Sequence, residues 1–226
     1  MREGPMSSGD DEALLDLLTT GRMSSYSSAT GSPSAALRLY EWNMHASASV
    51  MELTGIVEIV ARNALDRELA AWARRRLDTP EWFGRAPLDQ RGTRDVSKAE
   101  DRSRRAGAPG EHGRVVAELS FGFWRYLVGS RYHASLWVPD LHRAFPYGPR
   151  DLRARRREVE RRMRELHFVR NRAAHHEPIH QRNLGRDLTF ALELLGWVHP
   201  VAAEWAARVT TLRAVVDARP VTVRGG

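Results

Sequence analysis

Phe168 to His180 reads FVRNRAAHHEPIH, and two kinds of chemistry overlap in it. From Arg170 it gives Arg-Asn-x-x-x-His, a guanidinium, a carboxamide and an imidazole close together in the chain. From His176 it gives His-Glu-x-x-His, the spacing at which two histidines on one helical turn hold zinc beside a general base. The zinc reading meets an obstacle at Pro178. Proline there removes the amide that would bond to the carbonyl of Ala174, at a cost of about 3 kcal/mol inside a helix. It also biases Glu177 away from helical backbone. His176 and His180 are therefore not expected to share a helix face.

The first set survives the same test. At about 100° per residue, Arg170, Asn171 and His175 fall within an arc of about 140°, and His167 lies inside that arc. Leu166, Val169 and Ala173 form a separate apolar stripe suited to a core. Ala174 is small enough to let a phosphate approach. These residue types fit cleavage of RNA. The ribose 2′-hydroxyl is a nucleophile once its proton is removed, and the leaving 5′-oxygen needs one back. An imidazole of reference pKa about 6.5 can do either. Arg170 can neutralise charge building on the non-bridging oxygens, and Asn171 can orient the imidazole or bind the phosphate. No metal or other cofactor is required. Spacing alone still leaves His175 open between catalyst and ordinary surface histidine. His176 falls beside the apolar stripe and reads as a packed neighbour of the site, His180 as loop, and His167 as a candidate for substrate contact.

Charge points the same way. The formal net charge is +7, and of 35 basic residues only Lys98 is a lysine. Twelve arginines lie between Arg150 and Arg186, against five acids. Codon usage in a GC-rich genome is one reading of this bias, and a solvated helix face is the usual fate of such a run. Arginine also grips phosphate bidentately and stacks on bases. Arg153, Arg156, Arg157, Arg161 and Arg164 are thus expected to form an RNA-binding surface, with Arg172 adding a possible substrate contact.

Positioning these groups calls for helices. With 226 residues the chain suits one domain with a substantial core. Three-to-four-residue periodicity from Leu37 to Leu69 predicts a core helix capped by Ser34, or two helices broken near His45–Ser49. RVVAELSFGFWRYLVG predicts a second, residues 150–176 a third, and residues 183–216 a fourth, possibly kinked at Pro200. TPEWFGRAP reads as a turn with buried aromatics, residues 88–113 as a surface helix followed by a flexible loop, and RYHASLWVPDLHRAFPYGP as short helices. Nothing reads as a sheet, so the expected class is all-α, a bundle of four principal helices with shorter ones around it. Residues 1–34 are expected to be a flexible segment with one short helix, 35–217 the domain, and 218–226 a frayed tail. No apolar run approaching a membrane span and no secretion signal are apparent. With zero cysteines, a cytoplasmic location is expected.

LHFVRNRAAHHEPI, residues 166–179, resembles the signature of Abi-like proteins, a bacterial abortive-infection group. VEIVARNALDREL (57–69) is similar to that family's Glu-x3-Arg-Asn helix, and ELSFGFWRYLV (118–128) to its Ser-Phe-Gly-x-Trp segment, both in the expected order. The family belongs to the HEPN superfamily of α-helical domains, which typically dimerise. Its Arg-x(4–6)-His motif forms a metal-independent endoribonuclease site. The resemblance thus implies Arg170 and His175 as catalytic and Asn171 as the adjacent polar residue. It places Glu58, Arg62 and Asn63 on the upstream helix, where Glu58 and Arg62 also suit an intrahelical ion pair. Implied with it are RNA as substrate, a homodimer with a composite site, a toxin or phage-defence role, and an antitoxin protein or small RNA as restraint. A non-catalytic RNA-binding or regulatory module of the same fold is the alternative.

Overall fold

In the computed structural model, which describes residues 8–107 and 111–222, every regular element is helical. Helices α1 (Ser8–Leu18) and α2 (Thr20–Ala29) precede α3 (Pro33–Leu77), which runs unbroken for 45 residues. Helices α4 (Gln90–Arg105), α5 (His112–Glu118) and α6 (Phe121–Leu127) follow, then short turns over Ser130–Ala144. Helix α7 (Leu152–Ala174) carries the motif, and α8 (Leu184–Val198), α9 (Pro200–Val209) and α10 (Leu212–Asp217) complete the order. The chain divides into two compact units. The first comprises Met1–Glu52, Val169–Gly185 and Thr210–Gly226; the second comprises Leu53–Phe168 and Arg186–Val209.

Several boundaries differ from the expected ones, each for a local reason. Only one short helix is expected in residues 1–34, yet α2 forms beside α1 because Met23 and Tyr26, three apart, are both buried. The N-terminal segment therefore holds two helices, and Tyr26 is as buried as any core residue. Ser32, not Ser34, caps α3: its Oγ accepts from Ala35 N at 3.3 Å, with Pro33 in the first turn. No break occurs at His45–Ser49, where Ala46, Ser47 and Ser49 are buried small residues that permit close packing. The second expected helix is divided at Ser120, whose side chain caps α6 by accepting from Phe123 N. The fourth is divided at Pro200 and again at Thr211. Residues 108–110 of the loop after α4, residues 1–7 and tail residues 223–226 lie outside the described residues. Helix α3 also contains an 18-residue window with a mean hydropathy of 1.2, correcting the expectation that no apolar run approaches a membrane span. Its Ala46, Val50, Leu53, Val57, Ala61 and Leu65 are buried in protein.

In the first unit, Trp42 Nε1 donates to Val215 O at 2.7 Å, tying α3 to α10. Glu52 accepts from Thr211 N and Oγ1, and Ser49 pairs with the same hydroxyl. In the second unit, Trp82, Trp124, Trp137 and Phe145 are fully buried. Trp137 Nε1 donates to Leu152 O at 2.8 Å, anchoring the start of α7.

Asp89 organises the start of α4. It caps the helix by accepting from Gly92 N at 2.9 Å, and also accepts from Tyr126 Oη (2.8 Å) and Tyr132 Oη (2.9 Å) beside Arg131. Gly92 is needed there: a Cβ would lie 3.1 Å from Leu88 Cβ and 3.2 Å from Tyr132 Oη. The Gly92 amide first, then the two phenols and Arg131, hold the Asp89 carboxyl down at about 2. A depressed folded-state pKa stabilises the fold above the unfolded-state value of about 3.9. That stabilisation is lost as pH falls through about 2. Asp89→Asn should therefore be less stable than wild type at neutral pH, with the difference closing on acidification between these two values. Denaturant unfolding across that range checks it.

Candidate functional site

The site residues Arg170, Asn171 and His175 all belong to the first unit, on the last turn of α7 and the residues that end it. The helix carries the expected buried stripe, with Leu166, Val169 and Ala173 all at most 3% exposed. Arg170 and Asn171 are half-buried, and Arg170 Nη1 donates to Asn171 Oδ1 at 3.4 Å. The Asn171 carbonyl accepts from His175 N at 3.0 Å, so His175 still hangs on the final helical bond while its side chain is exposed.

What ends the helix is a two-bond cap. Glu177 N donates to Arg172 O at 2.8 Å and His176 N to Ala173 O at 3.1 Å, the Schellman arrangement. The residue between them must turn left-handed, a position glycine usually fills. Here it is His176, at φ 56°. This corrects the wheel placement of His176 beside the apolar stripe: it has left the helix and is exposed. His176→Gly should relieve the strain and raise stability by about 0.5–1 kcal/mol. Urea unfolding reads this out, and a loss of stability would show that the imidazole itself holds the turn.

The turn is fastened from both sides. Arg172 donates to Pro178 O through Nη2 (2.8 Å) and Nε (3.3 Å) and pairs with Glu177 at 3.2 Å. Its position is that of a clasp on the loop rather than an open substrate contact. Ile179 N donates to Asn43 Oδ1 at 2.8 Å, pinning the loop to α3. His180 is loop, as expected, but 1% exposed. Its ring packs at a 36° tilt against Tyr26, centroids 4.8 Å apart, and its Nε2 meets Ser25 Oγ at 3.3 Å. Burial first, then the Arg219 charge, push its pKa down. An exposed His176 and a buried His180 on opposite sides of Pro178 do not make the His-Glu-x-x-His geometry. Among the described residues no group of three or more potential metal ligands comes together.

Beside the motif, within the same unit, lies a cavity of about 580 Å³ formed by α2, α3 and the end of α7. Ala173, Ala174 and His176 supply the α7 side, and Tyr40, Asn43 and Ser47 line the α3 side. No local sequence signal marks it, because its α7 wall lies more than 120 residues along the chain from its α2 and α3 walls.

The remaining candidates belong to the second unit. His167 packs edge-on to Phe121 at 5.7 Å, and a Cβ on Gly122 would stand 3.4 Å from its Nε2. The glycine of the Ser-Phe-Gly block thus lies against this imidazole. Arg62 Nε donates to Asn63 Oδ1 at 3.4 Å on the same α3 face region as Glu58, which is half-buried. The expected arginine surface is only partly one. Arg153, Arg157 and Arg164 are exposed. Arg161 pairs with Glu158 at 2.8 Å and covers the Phe190 ring at 4.5 Å. Arg156 is the correction: it is 8% exposed, pairs with Glu160 at 2.5 Å and donates to Val128 O, so it faces the interior. No family model, no curated protein and no solved structure matches this chain.

Proposed function

We propose that the chain is a metal-independent endoribonuclease of the HEPN, Abi-like type. It acts as a toxin or phage-defence effector in the cytoplasm. The observation that supports this is the last turn of α7, where an Arg170–Asn171 pair is followed by a solvent-exposed His175.

In this reading His175 removes the proton from a ribose 2′-hydroxyl. The oxygen attacks the adjacent phosphorus, the bond to the 5′-oxygen breaks, and that oxygen leaves with a proton. The products are a 2′,3′-cyclic phosphate and a 5′-hydroxyl. Arg170 neutralises charge on the non-bridging oxygens as it builds, with Asn171 holding the guanidinium in place. Base and acid are both needed, and each chain supplies one motif His175 while the neighbouring His176 is turned left-handed out of the helix, so a second copy across a two-fold axis supplies the other His175. An antitoxin protein or small RNA restrains the activity. The non-catalytic RNA-binding alternative leans on the Arg150–Arg164 run, and internal pairing of Arg156, Arg161 and Arg162 takes support from it.

Incubation of the purified chain with labelled total RNA, with and without EDTA, tests the proposal. Cleavage indifferent to EDTA and ending in cyclic phosphate is expected. Intact RNA under all conditions, or cleavage that EDTA abolishes, overturns it.

A further inference from the structure

His180, the last histidine of the motif segment, takes no part in the proposed chemistry, yet it lines a second cavity of the first unit. This cavity, of about 500 Å³, lies between α2, the loop that follows α7 and the stretch that follows α10. The His180 ring fixes the sense of one hydrogen bond there. Burial and the Arg219 charge keep it neutral, so a single ring nitrogen carries the proton. Nδ1 is buried with no hydrogen-bond partner, whereas Nε2 meets Ser25 Oγ at 3.3 Å. A buried N–H without an acceptor is harder to accommodate than a bare lone pair. The proton therefore sits on Nε2 and is donated to Ser25 Oγ, which leaves the Ser25 hydroxyl to donate in turn. Ser25 is half-buried and lines the cavity. Arg219 lines it too, held over the Trp42 ring at 5.6 Å. Among the described residues, no carboxylate lines the cavity to meet either donor. A directed hydroxyl and a guanidinium are the partners of an oxyanion. The volume is that of a small-molecule site rather than of a single ion, and the rest of the lining says what the molecule is made of. Ser28, Gln181 and Thr222 offer hydroxyl and amide groups, and Ala29 is the one apolar residue among those that form the walls. Apart from the imidazole no aromatic ring lines the cavity, so a base would find no face to stack on.

We propose that this cavity binds a small phosphorylated polyol, a sugar phosphate in chemical class, with Arg219 and Ser25 on the phosphate and Ser28, Gln181 and Thr222 on the hydroxyls. One ligand then joins three segments that are far apart in the chain: α2, the loop that leaves α7 beyond His175, and the residues after α10. All of these are binding residues, and the site does not depend on the ribonuclease reading.

Ribose 5-phosphate and glycerol 3-phosphate are the probes, titrated into the full chain by calorimetry beside inorganic phosphate, ribose and adenosine monophosphate. At least one of the two phosphorylated polyols should bind about tenfold more tightly than inorganic phosphate or ribose. Adenosine monophosphate should bind no more tightly than ribose 5-phosphate. Arg219→Gln and the cavity-filling Ser28→Leu, both at exposed positions, should each weaken polyol phosphate binding about tenfold, with circular dichroism unchanged. In ring-nitrogen NMR spectra at neutral pH, His180 should be the Nε2–H tautomer, and the bound ligand should shift its signals. Inorganic phosphate that binds as tightly as the polyol phosphates, or a nucleotide that binds clearly more tightly, overturns the proposal. Binding that both variants leave intact overturns it as well, and so does an Nδ1–H tautomer at His180.

Discussion

Alanine at His175 should lower RNA cleavage by about 10²–10⁴-fold, the usual contribution of a positioned acid or base. Arg170→Ala should lower it by about 10²–10³-fold, the loss expected of one charge-stabilising donor. Neither change should disturb the fold much. His175 is exposed, and such substitutions usually lie within about 0.5 kcal/mol of wild type. Arg170 is half-buried, and its removal releases a long 3.4 Å contact to Asn171. In the proposed mechanism the two groups serve one transition state, so the double variant should be little worse than the more damaging single one. Initial rates on a defined RNA, with melting curves alongside, check both halves. Wild-type rates from His175→Ala would remove the imidazole from the mechanism. Activity lost together with the melting transition would reassign it to structure.

The largest effect on stability is expected at Trp82. Its indole is fully buried, with Phe123 and Trp124 rings at 6.2 Å and Phe83 at 4.5 Å. Its Nε1 donates to Asp66 Oδ1 at 2.8 Å. The same carboxylate meets His112 Nε2 at 2.9 Å, while His112 Nδ1 stands 3.2 Å from Glu81 and its ring stacks on Phe83. Trp82→Ala removes a large core side chain and an Asp66 donor together. It should cost about 4 kcal/mol, a large share of the roughly 5–15 kcal/mol that holds a typical domain folded. Trp82→Phe keeps most of the ring and loses the indole donor, so it should cost about 1–2 kcal/mol. Urea unfolding of both variants separates packing from hydrogen bonding. Equal costs would mean that the Asp66 bond, not the ring, carries the residue's contribution.

Local patterns in the chain announce much of this architecture. The apolar stripe of α7 follows from Leu166, Val169 and Ala173, and Pro178 foretells the end of that helix and the failure of the zinc geometry. Trp82 announces itself as an aromatic held in a Pro- and Gly-bounded turn. What stays hidden depends on distant partners. Helix α2 looks like a Ser/Gly loop because its helicity rests on burial of Met23 and Tyr26, which composition does not show. Arg156 looks like its exposed neighbours Arg153 and Arg157 until Val128 O and Glu160 are seen to hold it. Ser47 is one of several serines in α3, and only the fold shows its hydroxyl buried and unbonded. The left-handed turn at His176 was hidden for another reason: the cap needs the geometry that glycine favours, and the chain supplies histidine.

The internal pairing along α7 has a consequence for electrolytes. An arginine already neutralised by a glutamate of its own protein displaces few sodium or potassium ions from a nucleic-acid backbone, since counterion release counts phosphates met by uncommitted cations. Arg162, 8% exposed at its side chain and gripped by Glu158 and Glu193, contributes nothing to that tally. A slope of affinity against ionic strength would then register a handful of guanidinium groups such as Arg153 and Arg157, not the dozen that the stretch contains.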